Sequence, residues 1–302
     1  MAVRDVNPRP GFGRGPGYVV IGRVPLYLNF VRIHETLFAL PFAYIGMLLA
    51  AGGWPGWHDF VWINVAMAGA RTLGMAANRL VHRKEDAINP RTTGRHLPMG
   101  LIKPWEAGLM MTVSAGVLFY GASQLNPLAL ALAPVAAAYV VLYAYAKYFT
   151  WACHFVLGWA LAIAPSAAWI GVTGSLDFPP VLLSLAVAGW AGGFDTIYGC
   201  ADYDFDRTQN VYSIAKRFGI SGALITAKAA HLMSALSLLA LGIWLDMGIY
   251  YFTGWAIAVL LLVYENSLVT PANLSKLNSP FFRYNSIISL VLLVFTILDM
   301  AF

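Results

Sequence analysis

Long apolar runs separated by short polar connections dominate the chain. Nine of them are long enough for a helix to cross a bilayer, at roughly 33–53, 59–80, 105–123, 127–146, 151–173, 179–199, 221–244, 248–267 and 284–301. Strands of a membrane barrel would alternate apolar and polar residues in segments of about ten positions. Stretches such as LALALAPVAAAYVVLY run unbroken instead, so the spans read as helices that satisfy their own backbone groups. The pattern predicts an all-α polytopic membrane protein, a bundle of about nine transmembrane helices with active-site loops on the cytosolic side. Residues 19–32 (VVIGRVPLYLNFVR) read as a segment lying in the membrane interface, which divides the chain into an N-terminal segment, 1–32, and one transmembrane domain, 33–302.

Composition excludes the main alternatives. Of 302 residues, 59% are hydrophobic and 11% charged, whereas a soluble domain carries about a quarter charged residues. Two cysteines, Cys153 and Cys200, make neither a disulfide framework nor a C-x-x-C metal pair. Residues 1–30 are rich in Pro, Gly and Arg and lack the apolar core of a signal peptide.

The net charge of +5 takes its meaning from placement. The connections Trp54 to His58, Gln124 to Asn126, Gly174 to Phe178 and Leu245 to Met247 hold no Lys or Arg. The other side holds Arg4, Arg9, Arg14, Arg23 and Arg32, then Arg83, Lys84, Arg91, Arg95 and Lys103, then Lys147, Arg207, Lys216, Arg217, Lys276 and Arg283. The positive-inside rule makes that side the cytosol and the protein a multi-pass component of the cell membrane, N-terminus inside and C-terminus outside. The lipid bilayer is thus a partner and nucleic acid is not. The glycines of GFGRGPG at 11–17 follow no strand and read as a flexible tail, and the acceptor-like Asn273-Leu274-Ser275 falls on the cytosolic side.

Two of the cytosolic connections are long, polar and acidic. In NRLVHRKEDAINPRTTGRHLP (78–98), Asn78, His82 and Asp86 fall at i, i+4 and i+8, one stripe of a helix that Asn89-Pro90 ends, with Arg91 and Arg95 beyond. In DTIYGCADYDFDR (195–207), Asp195, Tyr198, Asp202 and Asp206 share a face in the same way. The two read as a weak internal repeat of helix, acidic end and loop. Carboxylate and amide oxygens one turn apart suit Mg²⁺, which binds through one or two carboxylates, water and phosphate oxygens. Arg and Lys beside them would grip the same phosphates. Glu85, Lys84, Asp204 and Arg207 read as solvated interface charge. Arg71, two turns before Asn78, points into the same interior, either paired with Asp195 or orienting a polar substrate head. Tyr143 and Lys147 lie one turn apart at the cytosolic end of the fourth span, where a lone Lys would ordinarily anchor topology.

Taken together, these motifs resemble the UbiA superfamily of intramembrane prenyltransferases from about residue 32 to 302. The family pattern is N-D-x-x-D-x-x-x-D, a tyrosine–x3–lysine motif, and D-x-x-x-D with a further aspartate upstream. Here they read Asn78 to Asp86, Tyr143-Ala-Tyr-Ala-Lys147, and Asp202 to Asp206 with Asp195 upstream. The phrases NPRTTGRHLP and YAKYFTWACHFVLGW are most similar to the 4-hydroxybenzoate polyprenyltransferase branch and its menaquinone-pathway relatives. The chain departs from the pattern at Arg79 and at His82, which stands where the family has its central aspartate. An imidazole is a poorer partner for Mg²⁺ than a carboxylate.

The resemblance implies Mg²⁺-dependent transfer of a prenyl group from an isoprenyl diphosphate to an aromatic acceptor in quinone biosynthesis. Asn78, Asp86, Asp202 and Asp206, with His82 in question, would serve the metal. Arg91, Arg95 and Lys147 would hold the diphosphate and Arg71 the acceptor. Tyr143 and Tyr198 would shield an allylic cation, and Asp195 and Asp202 complete the catalytic set. The competing class is an ion- or proton-coupled transporter, whose acids should lie near the bilayer midplane rather than at one end.

Overall fold

The computed structural model describes residues 16–32, 36–274, 277 and 279–302. Arg4, Arg9, Arg14, Ser275, Lys276 and residues 11–15 of the glycine-rich tail lie outside the described residues. The helices run α1 (Pro16–Phe30), α2 (Thr36–Ala51), α3 (Trp57–Val81), α4 (Arg83–Ile88), α5 (Pro104–Ser123) and α6 (Pro127–Leu142). There follow α7 (Cys153–Thr173), α8 (Phe178–Gly199), α9 (Tyr203–Thr208), α10 (Ile214–Trp244), α11 (Ile249–Ser267) and α12 (Ser279–Ala301). Two 3₁₀ turns, Tyr143–Tyr148 and Cys200–Asp202, extend α6 and α8. Among the described residues there is no strand, only an isolated bridge between Thr270 and Asn273.

Local chemistry sets the helix ends. Asn126 accepts a hydrogen bond from the Ala129 N–H ahead of Pro127, and Ser213 does the same for Lys216. Gly174 closes α7 in the left-handed region at φ 71°. Among the described residues, seven helical stretches are both long and apolar enough to cross a bilayer: α3, Pro127–Tyr148, α7, Phe178–Thr208, α10, α11 and Arg283–Ala301. The remaining two expected spans fold as α2 and α5 but fall short of that measure. α2 has only 16 residues, Thr36–Ala51, and α5 carries Glu106, Thr112 and Tyr120 among its apolar residues.

α8 is the axis of the bundle, packed between α7 and α10; α2 covers α7, α12 joins α11 to α2, and α5 and α6 flank α3. Within lipid no hydrophobic force drives helices together, so close backbone approach does the work. A Cβ on Gly158 would come 2.5 Å from the Ala188 carbonyl oxygen, and one on Gly189 would come 2.6 Å from that of Ala230. α8 is therefore buried almost all round, with Trp190 and Ile197 at 1% exposure. Outward faces carry apolar side chains such as Val113, Ile225 and Leu260. At the end of the bundle where α3 begins, Trp54, Trp57 and Phe60 stack within 5.9 Å of one another, an aromatic group suited to the membrane interface.

Candidate active site

At the opposite end, α3 and α8 are broken in the same manner. α3 stops at Val81, His82 turns the chain (φ −86°, ψ 13°) and α4 resumes. α8 stops at Gly199, the 3₁₀ turn Cys200–Asp202 intervenes and α9 resumes. Each break bends an acidic stripe inward. The two stripes face one cavity of about 200 Å³, bordered by Asn78, His82, Asp86, Arg91, Arg95, Tyr143, Lys147, Asp195, Tyr198, Asp202 and Asp206. Arg71, the remaining residue singled out from the sequence, borders a second, mainly apolar cavity of about 280 Å³ that shares Tyr143 with the first.

Charges of both signs meet inside the polar cavity, five acids against four bases. Glu85, Asp86, Asp195, Asp202 and Asp206 face Arg32, Arg91, Arg95 and Lys147. Arg91 donates from Nε to Asp202 Oδ1 at 2.9 Å and from Nη2 to Oδ2 at 2.5 Å. Its Nη1 donates to the Tyr198 hydroxyl at 3.0 Å, and the guanidinium lies 5.1 Å from that ring's centroid. Burial alone would lower the Arg91 pKa, but the Asp202 carboxylate outweighs it and leaves Arg91 more firmly charged than usual. Arg95 donates to Asp86 Oδ1 at 2.6 Å. Lys147 Nζ lies 3.9 Å from Asp206 Oδ2, beyond hydrogen-bond reach. The two arginines expected to hold phosphate thus hold the motif carboxylates in this structure.

Arg71 donates to the Arg32 carbonyl at 3.2 Å, and Asp195 pairs with His154 at 2.7 Å. Tyr143 donates to the Gly74 carbonyl at 3.3 Å, tying α6 to α3. His82 lies with Nδ1 3.3 Å from the Tyr148 hydroxyl. Burial, seconded by the charge of Lys147, pushes its pKa down to about 4, so the ring is neutral at pH 7.

The donors fit Mg²⁺. Asp206 is 1% exposed, and its Oδ2 accepts no hydrogen bond, a buried oxygen that calls for a cation. Among the described residues no three His, Cys, Asp or Glu side chains form a ready-made metal cluster. The first stripe instead offers the Asn78 amide with Asp86, and the second offers Asp202 with Asp206; Mg²⁺ completes such sets with water and phosphate oxygens.

Three cavity residues escaped the reading of the sequence. Asn89 donates to Asp202 Oδ1 at 3.2 Å and accepts from the Arg91 N–H at 3.0 Å, so it braces the fork as well as ending α4. Glu85 borders the cavity rather than solvent, while Lys84, Asp204 and Arg207 are exposed as expected. His154 opens an apolar run and carries no motif; its only signal was an ionisable group inside a span. Arg79, the other departure from the motif, is buried beside His96 and does not border the cavity.

A helical membrane protein that gathers carboxylates and guanidinium groups at one end, above an apolar chamber, has the architecture of an intramembrane transferase for charged lipids. The sequence profile of the UbiA prenyltransferase family matches residues 39–287, and the chain belongs to that family. It is a prenyltransferase, which displaces the transporter reading. It is 30% identical over 257 residues to the 4-hydroxybenzoate octaprenyltransferase of Aeromonas salmonicida, covering 85% of this chain and 86% of the relative. With the enzyme of that name from Aliivibrio fischeri it shares 31% identity over 228 residues, 74% of this chain and 77% of the relative. The structure of a UbiA homolog from Aeropyrum pernix superposes with a TM-score of 0.81 at 29% identity, over 89% of this chain and 98% of that one. A UbiA homolog from Archaeoglobus fulgidus bound to GPP and Mg²⁺ shares the fold, with a TM-score of 0.70 at 16% identity over 91% and 99% of the two chains.

Proposed function

We propose that the protein transfers a polyprenyl group from an isoprenyl diphosphate to an aromatic acceptor of the 4-hydroxybenzoate type, releases diphosphate, and serves quinone biosynthesis. The observation that carries this reading is the meeting of both acidic stripes and their arginines around one cavity that adjoins an apolar chamber through Tyr143. The names of the relatives in Aeromonas and Aliivibrio support the acceptor class. The basic side of the bundle, with this cavity and the N-terminus, faces the cytosol.

Asn78, Asp86, Asp202 and Asp206 would hold Mg²⁺, which would supply the charge neutralisation that makes diphosphate a better leaving group. Arg91, Arg95 and Lys147 bind the phosphate oxygens through charge-assisted hydrogen bonds. The prenyl tail occupies the apolar chamber, whose walls include Ile63, Met67, Val140 and Ala164. Tyr143 and Tyr198 present aromatic faces to positive charge developing on the allylic carbon. Arg71 orients the acceptor through its carboxylate. The segments 83–103 and 200–213 exclude water from the cation. Purified protein incubated with Mg²⁺, prenyl diphosphates of several lengths and a panel of acceptors tests this. A prenylated aromatic product with equimolar diphosphate is the expected result, and diphosphate release without any prenylated aromatic would refute it.

A further inference from the structure

One paired group in the polar cavity has no part in holding diphosphate or metal. His154, at the start of α7, and Asp195, near the end of α8, meet with the imidazole Nδ1 2.7 Å from the carboxylate Oδ2. The two side chains differ in access: His154 is 2% exposed and Asp195 23%. The imidazole is fixed in place, because a Cβ on Gly199 would come 2.5 Å from its Cε1 and 2.9 Å from its Nε2. That Nε2 is buried with no hydrogen-bond partner. The one side-chain hydrogen bond of His154 among the described residues is thus to Asp195, whose orientation it sets.

The other carboxylates of the cavity are engaged differently. Asp202 is held at both oxygens by the Arg91 fork, Asp86 accepts from Arg95, Asp206 faces Lys147, and Glu85 lies at the cavity border without an ion-pair partner among the described residues. Asp195 alone among these five is backed by an imidazole. A carboxylate so oriented, beside Tyr198 and open to the cavity, has the geometry of a general base.

We propose that Asp195, positioned by His154, removes the ring proton of the acceptor after the prenyl group has been transferred; the assignment rests on the reaction inferred above. The bond from the prenyl C1 to the diphosphate oxygen breaks, and its electron pair leaves with diphosphate. A π pair of the acceptor ring forms the new bond to C1. The same ring carbon then loses its proton to an Asp195 oxygen, and the C–H pair restores aromaticity. The proton departs to water as product leaves.

The test uses the full-length protein in detergent with Mg²⁺, a prenyl diphosphate, and 4-hydroxybenzoate either unlabelled or deuterated at the ring positions flanking the hydroxyl. Diphosphate and prenylated product are measured together. Equal amounts from the unsubstituted protein establish the reaction itself; if it prenylates no acceptor, the underlying reading fails and this proposal falls with it. Asp195→Asn is expected to lower product formation by about 10²- to 10⁴-fold. Diphosphate release should then exceed product, and the deuterated ring should slow the reaction in a way absent from the unsubstituted protein. His154→Leu should shift the same ratio, and His154→Asn, whose amide N–H can replace Nδ1–H as donor to Asp195, should restore it. An unchanged ratio without an isotope effect in Asp195→Asn would overturn the proposal and make the departing diphosphate the base. Should Asp195→Asn fail to fold, the two His154 variants decide alone: equal ratios in both would overturn it.

Discussion

Arg91 and Asp202, 111 positions apart in the chain, are joined by a two-point fork, with N–O distances of 2.9 and 2.5 Å, that ties the loop after α4 to the end of α8. The fork depends on the planar, two-donor face of a guanidinium, which an ammonium cannot reproduce. Arg91→Lys should therefore keep the charge yet lower kcat/KM at least tenfold, mostly through KM for the prenyl diphosphate. Limited proteolysis should find the 89–103 loop cut faster than in the unsubstituted protein. Kinetics indistinguishable from the parent would show that charge alone suffices.

Asp206 presents a buried oxygen with no hydrogen bond, and Lys147 stands too far away to supply one. Removal of Mg²⁺ with a chelator should abolish product formation, and Mg²⁺ should restore it. Asp206→Asn should raise the Mg²⁺ concentration needed for half-maximal rate by at least tenfold while thermal unfolding stays within a few degrees. A variant with the parent's Mg²⁺ requirement would remove Asp206 from the metal set.

His82 stands between Asn78 and Asp86, where the family pattern has its central aspartate. His82→Asp should lower the Mg²⁺ requirement, because an oxygen donor replaces a nitrogen. It should also reduce stability slightly through the lost Tyr148 contact. No change in Mg²⁺ dependence would mean that His82 does not handicap the site.

The same residue gives a pH signature without ligands. Its folded pKa of about 4 lies below the unfolded value of about 6.5, so the unfolded chain binds the extra proton between those limits. The contribution of neutral His82 is fully present above about pH 6.5 and is lost as pH falls toward 4, at most about 3 kcal/mol in all. Unfolding midpoints measured from pH 7 to pH 5 should fall less steeply in His82→Gln than in the parent; parallel curves would place the acid sensitivity elsewhere.

Away from the site, Asn285 donates to Glu265 Oε1 at 2.8 Å, with the two residues at 1% and 0% exposure, and so clasps α12 to α11. Asn285→Leu leaves the carboxyl without that donor and should cost about 1–3 kcal/mol. Glu265→Gln, which keeps an acceptor for Asn285, should unfold close to the parent. Equal losses in the two variants would show that the clasp is not what holds the helices.

The membrane class of the fold was legible because lipid imposes one strict condition: each span must satisfy its backbone internally and be apolar along its length. α3, α7, α8 and α10 follow directly from that pattern. Helix ends were read less evenly: those of α5 and α8 fall within a residue of the expected bounds, but α10 starts at Ile214 against an expected 221, because Lys216 and Arg217 interrupt its apolar run. The stripes were legible as i, i+4 spacing, but the bends at His82 and Cys200–Asp202 that turn them inward were not. A break in a helix follows from packing at its end as much as from its residues.

The amino-acid order by itself determined that the chain crosses a membrane many times, that its charge gathers on one side, and which acids share a helix face. These are local properties, set by hydropathy and by 3.6-residue periodicity. Only the tertiary structure decided the partners. It gave Asp202 to Arg91, Asp86 to Arg95 and Asp195 to His154, where the sequence had allowed Asp195 to pair with Arg71. Pairings over such separations are fixed by which helices can approach closely. Here small residues where α7 meets α8 make that choice: Gly158 of α7 against Ala188 of α8, and Gly199 of α8, which leaves space for His154.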